Sequence, residues 1–304
     1  MKSFLFGSEA VPVQSKLFST YCQNRMLLAE KNKGMKIDQY HPVLSNETIY
    51  ERIPVDKLED LLKTSKVVSF EPELLKIKEK LYVDNPYIQG LDSEHSKYSL
   101  YTNILEEYPD VGNELVRGLE LIQSYGGWMG DMFDTIIHEI CPIRLKRSTE
   151  RFRGGFSDYN LIGSIFISHM PEPHAQLELA ISLVHELGHQ ALMLLQAAEN
   201  PIHSESLDDW IYSSVRKVDR PVLGAVHALI AALYMADFAL NLLKLRENTK
   251  DEKSYLRQQV SQHLKSVQDG VDATEGVKLT RTGEKVIRDV VTFHSSLEKS
   301  FKSV

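Results

Sequence analysis

The chain reads as mainly α-helical with a small β-sheet. Three observations carry that reading. Long stretches place apolar residues at helical spacing, one segment near residues 161–168 is rich in β-branched and aromatic residues, and helix-start signals recur toward the C-terminus. With 304 residues and 42% hydrophobic content the chain can bury a sizeable core.

In chain order, residues 15–125 suggest short amphipathic helices at 55–62, 72–81 and 111–125, separated by turns rich in Pro, Gly and Asp. Residues 128–140 read as a further helix and 141–145 as extended. After Gly154 and Gly155 comes the strand candidate 161–168. From 174 to 198 a broad stripe of Leu177, Ile181, Val184, Leu187, Ala191 and Leu195 predicts a helix. Another is predicted over 221–244, with Pro221 in its first turn and almost no charge at its centre, so it must be buried. Amphipathic helices follow at 252–268 and, after the start signal of Thr280 to Thr282, at 283–301. Residues 1–140 read as a helical N-terminal region and 141–304 as a metal-binding catalytic region, the two forming one integrated unit.

The formal net charge of −7 argues against nucleic acid or an anionic membrane surface as the main partner, because both require clustered positive charge. The only cysteines, Cys22 and Cys141, lack any C-x-x-C spacing, so neither a disulfide framework nor a thiolate zinc site is indicated. The first 16 residues are too weakly apolar for a secretory signal, and no stretch reads as a bilayer span. A cytoplasmic location is expected. The sequence is silent on oligomeric state.

The chemistry-bearing motif is His185-Glu186-Leu187-Gly188-His189. Histidines four apart share one face of a helix, so both imidazoles can converge on one ion, as in a zincin-like H-E-x-x-H helix. A catalytic ion takes a third protein ligand and keeps positions open. The longer H-E-x-x-H-x-x-G-x-x-H pattern is excluded by Leu192 and Leu195. Glu205, Asp208 and Asp209 fall where a zinc peptidase could place a helical glutamate, but they read better as caps of the next helix. His227 is the stronger candidate. It lies in an apolar helix beside Gly224 and Ala225, which would admit a close neighbour, and Tyr234 and Asn241 continue a polar stripe at seven-residue steps. Arg216 and Arg220, just before that helix, would stand at the rim of the same site, where an arginine can clamp a carboxylate in bidentate fashion.

The run of His185-Glu186-x-x-His189, Ser213-x-x-Arg216-x-x-x-Arg220-Pro221, Leu223-Gly224-Ala225-Val226-His227 and Leu279-Thr280-x-x-Gly283 resembles the H-E-x-x-H-motif iron(II)- and 2-oxoglutarate-dependent peptide β-hydroxylases of ribosomal peptide natural-product (RiPP) biosynthesis. The resemblance spans roughly residues 154–290. It implies a dioxygenase, an oxidoreductase that couples decarboxylation of 2-oxoglutarate at iron to hydroxylation of a β-carbon in a precursor peptide. It further implies His185, His189 and His227 as ligands and an arginine on the distal carboxylate of the cosubstrate. Because many 2-oxoglutarate enzymes use two histidines and one carboxylate, Asp237 or Glu186 stays open as third ligand. The alternative is a zinc metallopeptidase with Glu186 as catalytic base. In the hydroxylase reading the peptide is expected to add as a strand beside residues 161–168.

Overall fold

The structure is a computed structural model that describes residues 3–33, 98–99, 109–142, 144–145, 154–168 and 174–304. The helices expected at 55–62 and 72–81 lie outside the described residues. Among those described the fold is mainly helical, with small β-sheets, as the apolar periodicity predicts.

Helices α1 (Ala10–Lys33), α2 (Pro109–Tyr125) and α3 (Trp128–Ile136) pack on one side of α4 (Ala175–Ala198). On its other side α4 packs along α5 (Val222–Leu245), which is covered in turn by α6 (Lys250–Ala273) and α7 (Arg281–Lys302). Their buried side chains form one hydrophobic cluster running from Leu5 to Leu297. Helix α5 has buried residues all around its circumference, including Leu229, Ile230, Leu233 and Phe238. By length and apolarity alone it could cross a membrane, contrary to the sequence expectation, but 83% of its most apolar window is buried in the fold.

Capping chemistry sets the later helices. Thr249 and Glu252 form a reciprocal capping box, which starts α6 two residues earlier than its apolar stripe suggests. The side chain of Thr280 accepts from the Gly283 amide and starts α7. At the end of α5, Asn248 donates its amide to the carbonyls of Leu242 and Arg246, both at 2.8 Å. Helix α3 stops at Ile136 rather than 140. Ile137 turns extended, and the His138 amide donates to the Gly163 carbonyl at 2.8 Å, so the residues that follow, Glu139 to Pro142, join a sheet.

That sheet has the order β2 (Glu139–Pro142), β5 (Ser164–Ser168), β4 (Gly154–Phe156), with β2 parallel and β4 antiparallel to β5. Strand β5 is therefore central and offers no free edge, which corrects the expectation that a peptide adds beside it. A short 3-10 turn, Tyr159–Leu161, and Gly163 at φ 104° take the first part of the expected strand. Strands β1 (Tyr98–Ser99) and β3 (Arg144–Leu145) form a separate antiparallel pair. The sequence did not suggest the antiparallel hairpin of β6 (Trp210–Ser213) and β7 (Val218–Pro221), which lies against α5. Its strands are four residues each and half exposed, too short for a clear alternation signal.

The N-terminal residues are pinned across the far end of the bundle. The Ser3 hydroxyl donates to Asp289 of α7 at 3.0 Å, Tyr234 of α5 donates to the Leu5 carbonyl at 2.7 Å, and Phe6 stacks on Phe293 at 4.8 Å. Tyr234 is thus a core residue whose hydroxyl turns to Leu5 and Met132, and it does not line a polar stripe with His227.

A close approach of backbone to backbone between α4 and α5 is made at Gly188, inside the motif itself. A Cβ there would stand 3.0 Å from the Ala231 Cα and 3.3 Å from the Tyr234 ring. The sequence reading assigned this role to Gly224, which instead faces the Arg220 guanidinium at 3.6 Å. Gly188→Ala is expected to force α4 and α5 apart and destabilise the protein by about 1–3 kcal/mol, because backbone cannot yield as a side-chain tip does. Thermal or urea denaturation of that variant beside Gly224→Ala checks this, the latter being expected to change stability far less.

Candidate metal and anion site

Four elements enclose a cleft of about 250 Å³. Gly155, Phe156 and Ser157 come from β4 and its exit. His185, Glu186, His189 and Met193 come from α4. The β6–β7 hairpin supplies Val215, Arg216 and Arg220, and α5 supplies Gly224, His227 and Ala228. The volume falls below the roughly 300–1,000 Å³ of drug-sized pockets, so it suits a small ligand.

All three predicted histidines meet here. Nε2 of His185 lies 3.0 Å from Nε2 of His189, and Nδ1 of His189 lies 3.3 Å from Nδ1 of His227. Bonds of about 2.0–2.1 Å from one ion to two imidazoles place the ligating nitrogens roughly 3.0–3.4 Å apart, so each pair suits adjacent ligands. His189 turns a different nitrogen to each neighbour, however, and among the described residues no three His, Cys, Asp or Glu side chains stand as a closed ligand set. Histidine χ2 is a broad, soft torsion, so such rings can re-aim at small cost.

Burial is the main electrostatic fact. It pushes the His185 and His189 imidazoles well below their usual range, helped by His189 and Arg216 for the first and by His227, Arg216 and Arg220 for the second. His227 is pushed down to about 4 by burial and by Arg220. The rings are therefore neutral near pH 7, the form that ligates a metal. Burial also raises the Glu186 carboxyl to about 8, against the opposing pull of Ser157 and Arg216. Ser157 donates to Glu186 Oε2 at 2.8 Å, and Gly155 permits the close approach of β4, since a Cβ there would lie 3.2 Å from Glu186 Cγ and 2.6 Å from the Phe166 carbonyl oxygen.

Arg216 and Arg220 both line the cleft, as their position before α5 suggests. Among the described residues neither guanidinium makes a hydrogen bond or an ion pair. The cleft thus holds two uncompensated positive charges beside neutral rings, an arrangement that attracts a small anion. Strand β4 pairs on one side only among the described residues, and its Gly155 and Phe156 line this cleft.

Several expectations are corrected. Asp237 is not at the cleft: it accepts from the Trp128 indole at 3.0 Å, deep beside α3. Glu205 pairs with Lys278 at the surface, and no side chain caps α5, whose first amide donates to the Asp209 carbonyl at 3.0 Å. Missed from the sequence were Ser157, Gln190 and Gln196. Buried Gln190 accepts from the Gly163 amide at 2.7 Å and donates to the Ser164 carbonyl at 2.6 Å, which locks α4 to β5 beside His189. Gln196 lies 2.8 Å from Nε2 of His227. Its placement seven residues after His189, on the same helical face, was the readable signal. Ser157 left none.

The sequence matches no protein-family model and no curated protein.

Burial lifts the Asp237 carboxyl to about 6, with Trp128 and Lys244 pulling the other way. A carboxyl raised above its unfolded value binds more protons folded than unfolded, so its contribution to stability declines as pH rises from near 4 to above 6. Asp237→Asn keeps an acceptor for Trp128 and removes that decline. The variant is expected to exceed the parent in stability at pH 7.5 by on the order of 2 kcal/mol and to match it near pH 4. Denaturant titrations at the two pH values measure it.

Proposed function

We propose that the protein is an iron(II)- and 2-oxoglutarate-dependent hydroxylase acting on a β-carbon of a ribosomally made precursor peptide. The observation that carries this reading is the meeting, in one small cleft, of three neutral imidazoles with two guanidinium groups that have no counter-ion among the described residues. The metal, water and glutamate base of a zinc peptidase do not by themselves call for a pair of arginines. A small dicarboxylic cosubstrate does.

In this reading His185, His189 and His227 hold the ion, which with 2-oxoglutarate and oxygen supplies the oxidising chemistry. Arg216 and Arg220 bind the distal carboxylate, two planar forks matched to one planar anion. Glu186 stands at the cleft wall beside His185 and is fixed there by Ser157. The peptide runs along the open edge of β4, where main-chain pairing tolerates varied side chains. A motif helix beside a small sheet whose strand β4 lines the cleft supports a zincin-like description of this half of the fold. The enzyme works in the cytoplasm, where iron stays ferrous and thiols such as buried Cys22 stay reduced.

Anaerobic reconstitution is expected to give one Fe(II) per chain, with loss of the metal in His185→Ala, His189→Ala and His227→Ala; full metal content in His227→Ala would place the third ligand elsewhere. Incubation with Fe(II), 2-oxoglutarate, oxygen and candidate precursor peptides is expected to add about 16 Da, one oxygen atom, to a substrate. Arg216→Ala or Arg220→Ala should raise the 2-oxoglutarate requirement by about 30- to 160-fold while changing the peptide requirement little, since a charge-assisted clamp is worth roughly 2–3 kcal/mol. Peptide cleavage by the zinc-loaded protein without oxygen or 2-oxoglutarate overturns the hydroxylase reading.

A further inference from the structure

Helix α4 contributes a third polar side chain to the histidine cluster. Gln196 stands two turns beyond His189 on the same face, and its amide oxygen lies 2.8 Å from Nε2 of His227. An amide oxygen only accepts, so the neutral His227 ring must carry its proton on Nε2 to make this bond. Its Nδ1 then keeps a lone pair, and that atom is the one facing His189, 3.3 Å away. The order extends along the cluster. With no ion bound, His189 can donate from Nδ1 to His227 and receive at Nε2 from His185, 3.0 Å away, so the three rings form a chain of single polarity that ends on Gln196.

We infer that Gln196 is a positioning residue that selects the tautomer of His227 and thereby makes Nδ1 the nitrogen offered to an ion in the cleft. The inference about the proton stands on the hydrogen bond alone; its consequence for metal binding rests on the metalloenzyme reading above. Three features favour this over a glutamine that merely satisfies a buried ring. Gln196 orients His227 from outside the cleft, on the side of the ring opposite the other histidines. It comes from the same helix as His185 and His189, so one rigid element sets two ligands and the orientation of the third. Finally, α4 meets α5 at Gly188 and Ala231, and Ala231 lies one turn from His227. That contact fixes the spacing across which Gln196 and His227 bond. Metal-ligating histidines generally give their second nitrogen to such a partner, and loss of the partner typically weakens metal affinity about 10- to 100-fold.

The test separates the proton from the metal. In metal-free protein carrying ¹⁵N-labelled histidine, long-range ¹H–¹⁵N correlation spectra report the protonated nitrogen of each ring, with His227 assigned by its loss in His227→Ala. The parent is expected to show His227 protonated on Nε2. Gln196→Leu should give a mixture of tautomers, and Gln196→Glu, which keeps an acceptor, should restore the Nε2 proton. Titration with Co(II) alone should then show affinity about 10- to 100-fold weaker in Gln196→Leu and within a few-fold of the parent in Gln196→Glu. A proton on Nδ1 of His227 in the parent, or an unchanged tautomer in Gln196→Leu, overturns the inference. Unchanged Co(II) affinity in Gln196→Leu overturns its consequence for the metal. If the parent takes up no Co(II) while its tautomer follows residue 196 as described, the metalloenzyme reading fails and the tautomer assignment stands.

Discussion

The backbone contact between Gly188 and Ala231 is the constraint on which the site depends. Two helices that approach this closely leave no room for a side chain between them, and only glycine in the motif permits it. The approach puts His227 of α5 against His189 of α4 and brings Gln196 within bonding distance of the same ring. The packing around the cluster is also why the imidazoles resist protonation. A single residue without a side chain therefore links the packing of the core to the protonation state of the polar groups at its edge.

Around that fixed centre the other walls come from less rigid elements. The β6–β7 hairpin carries both arginines, with Arg220 laid over Gly224 at the start of α5. Strand β4 reaches Glu186 through Gly155 and Ser157. Its neighbour Phe156 stacks on Phe166 of the central strand at 4.5 Å, so the wall of the cleft is tied to the sheet core. The three histidines thus sit on buried helices, whereas the two arginines sit on a surface hairpin.

Much of this was legible in the sequence. Helices α4, α5 and α7 followed from apolar spacing and start signals, because burial enforces the period of the helix on the residue pattern. His185, His189, His227, Arg216 and Arg220 were legible because each carries chemistry that an apolar or turn-like context does not explain. Asp237 was misread for a reason that periodicity cannot repair: a lone carboxylate in a buried helix has one required partner, and the sequence does not reveal that the partner is Trp128. Ser157 and Gln190 were invisible because their roles arise from tertiary hydrogen bonds that span 29 and 27 positions. The hairpin escaped notice because half-exposed four-residue strands impose little alternation.

The pinning of Ser3 to Phe6 beneath α5 and α7 bears on how the molecule is assembled during synthesis. The Ser3 to Asp289 hydrogen bond joins positions 286 apart, and Phe6 meets Tyr234 of α5 edge-on and stacks on Phe293 of α7. Segments emerge from the ribosome in chain order, so these residues meet their partners in α5 and α7 only after those helices have left the exit tunnel. Contacts of such long range form late and slowly. Phe4, Leu5 and Phe6 therefore wait without their partners while the intervening chain is made, and the seam they form with α5 and α7 closes only once both helices are in place.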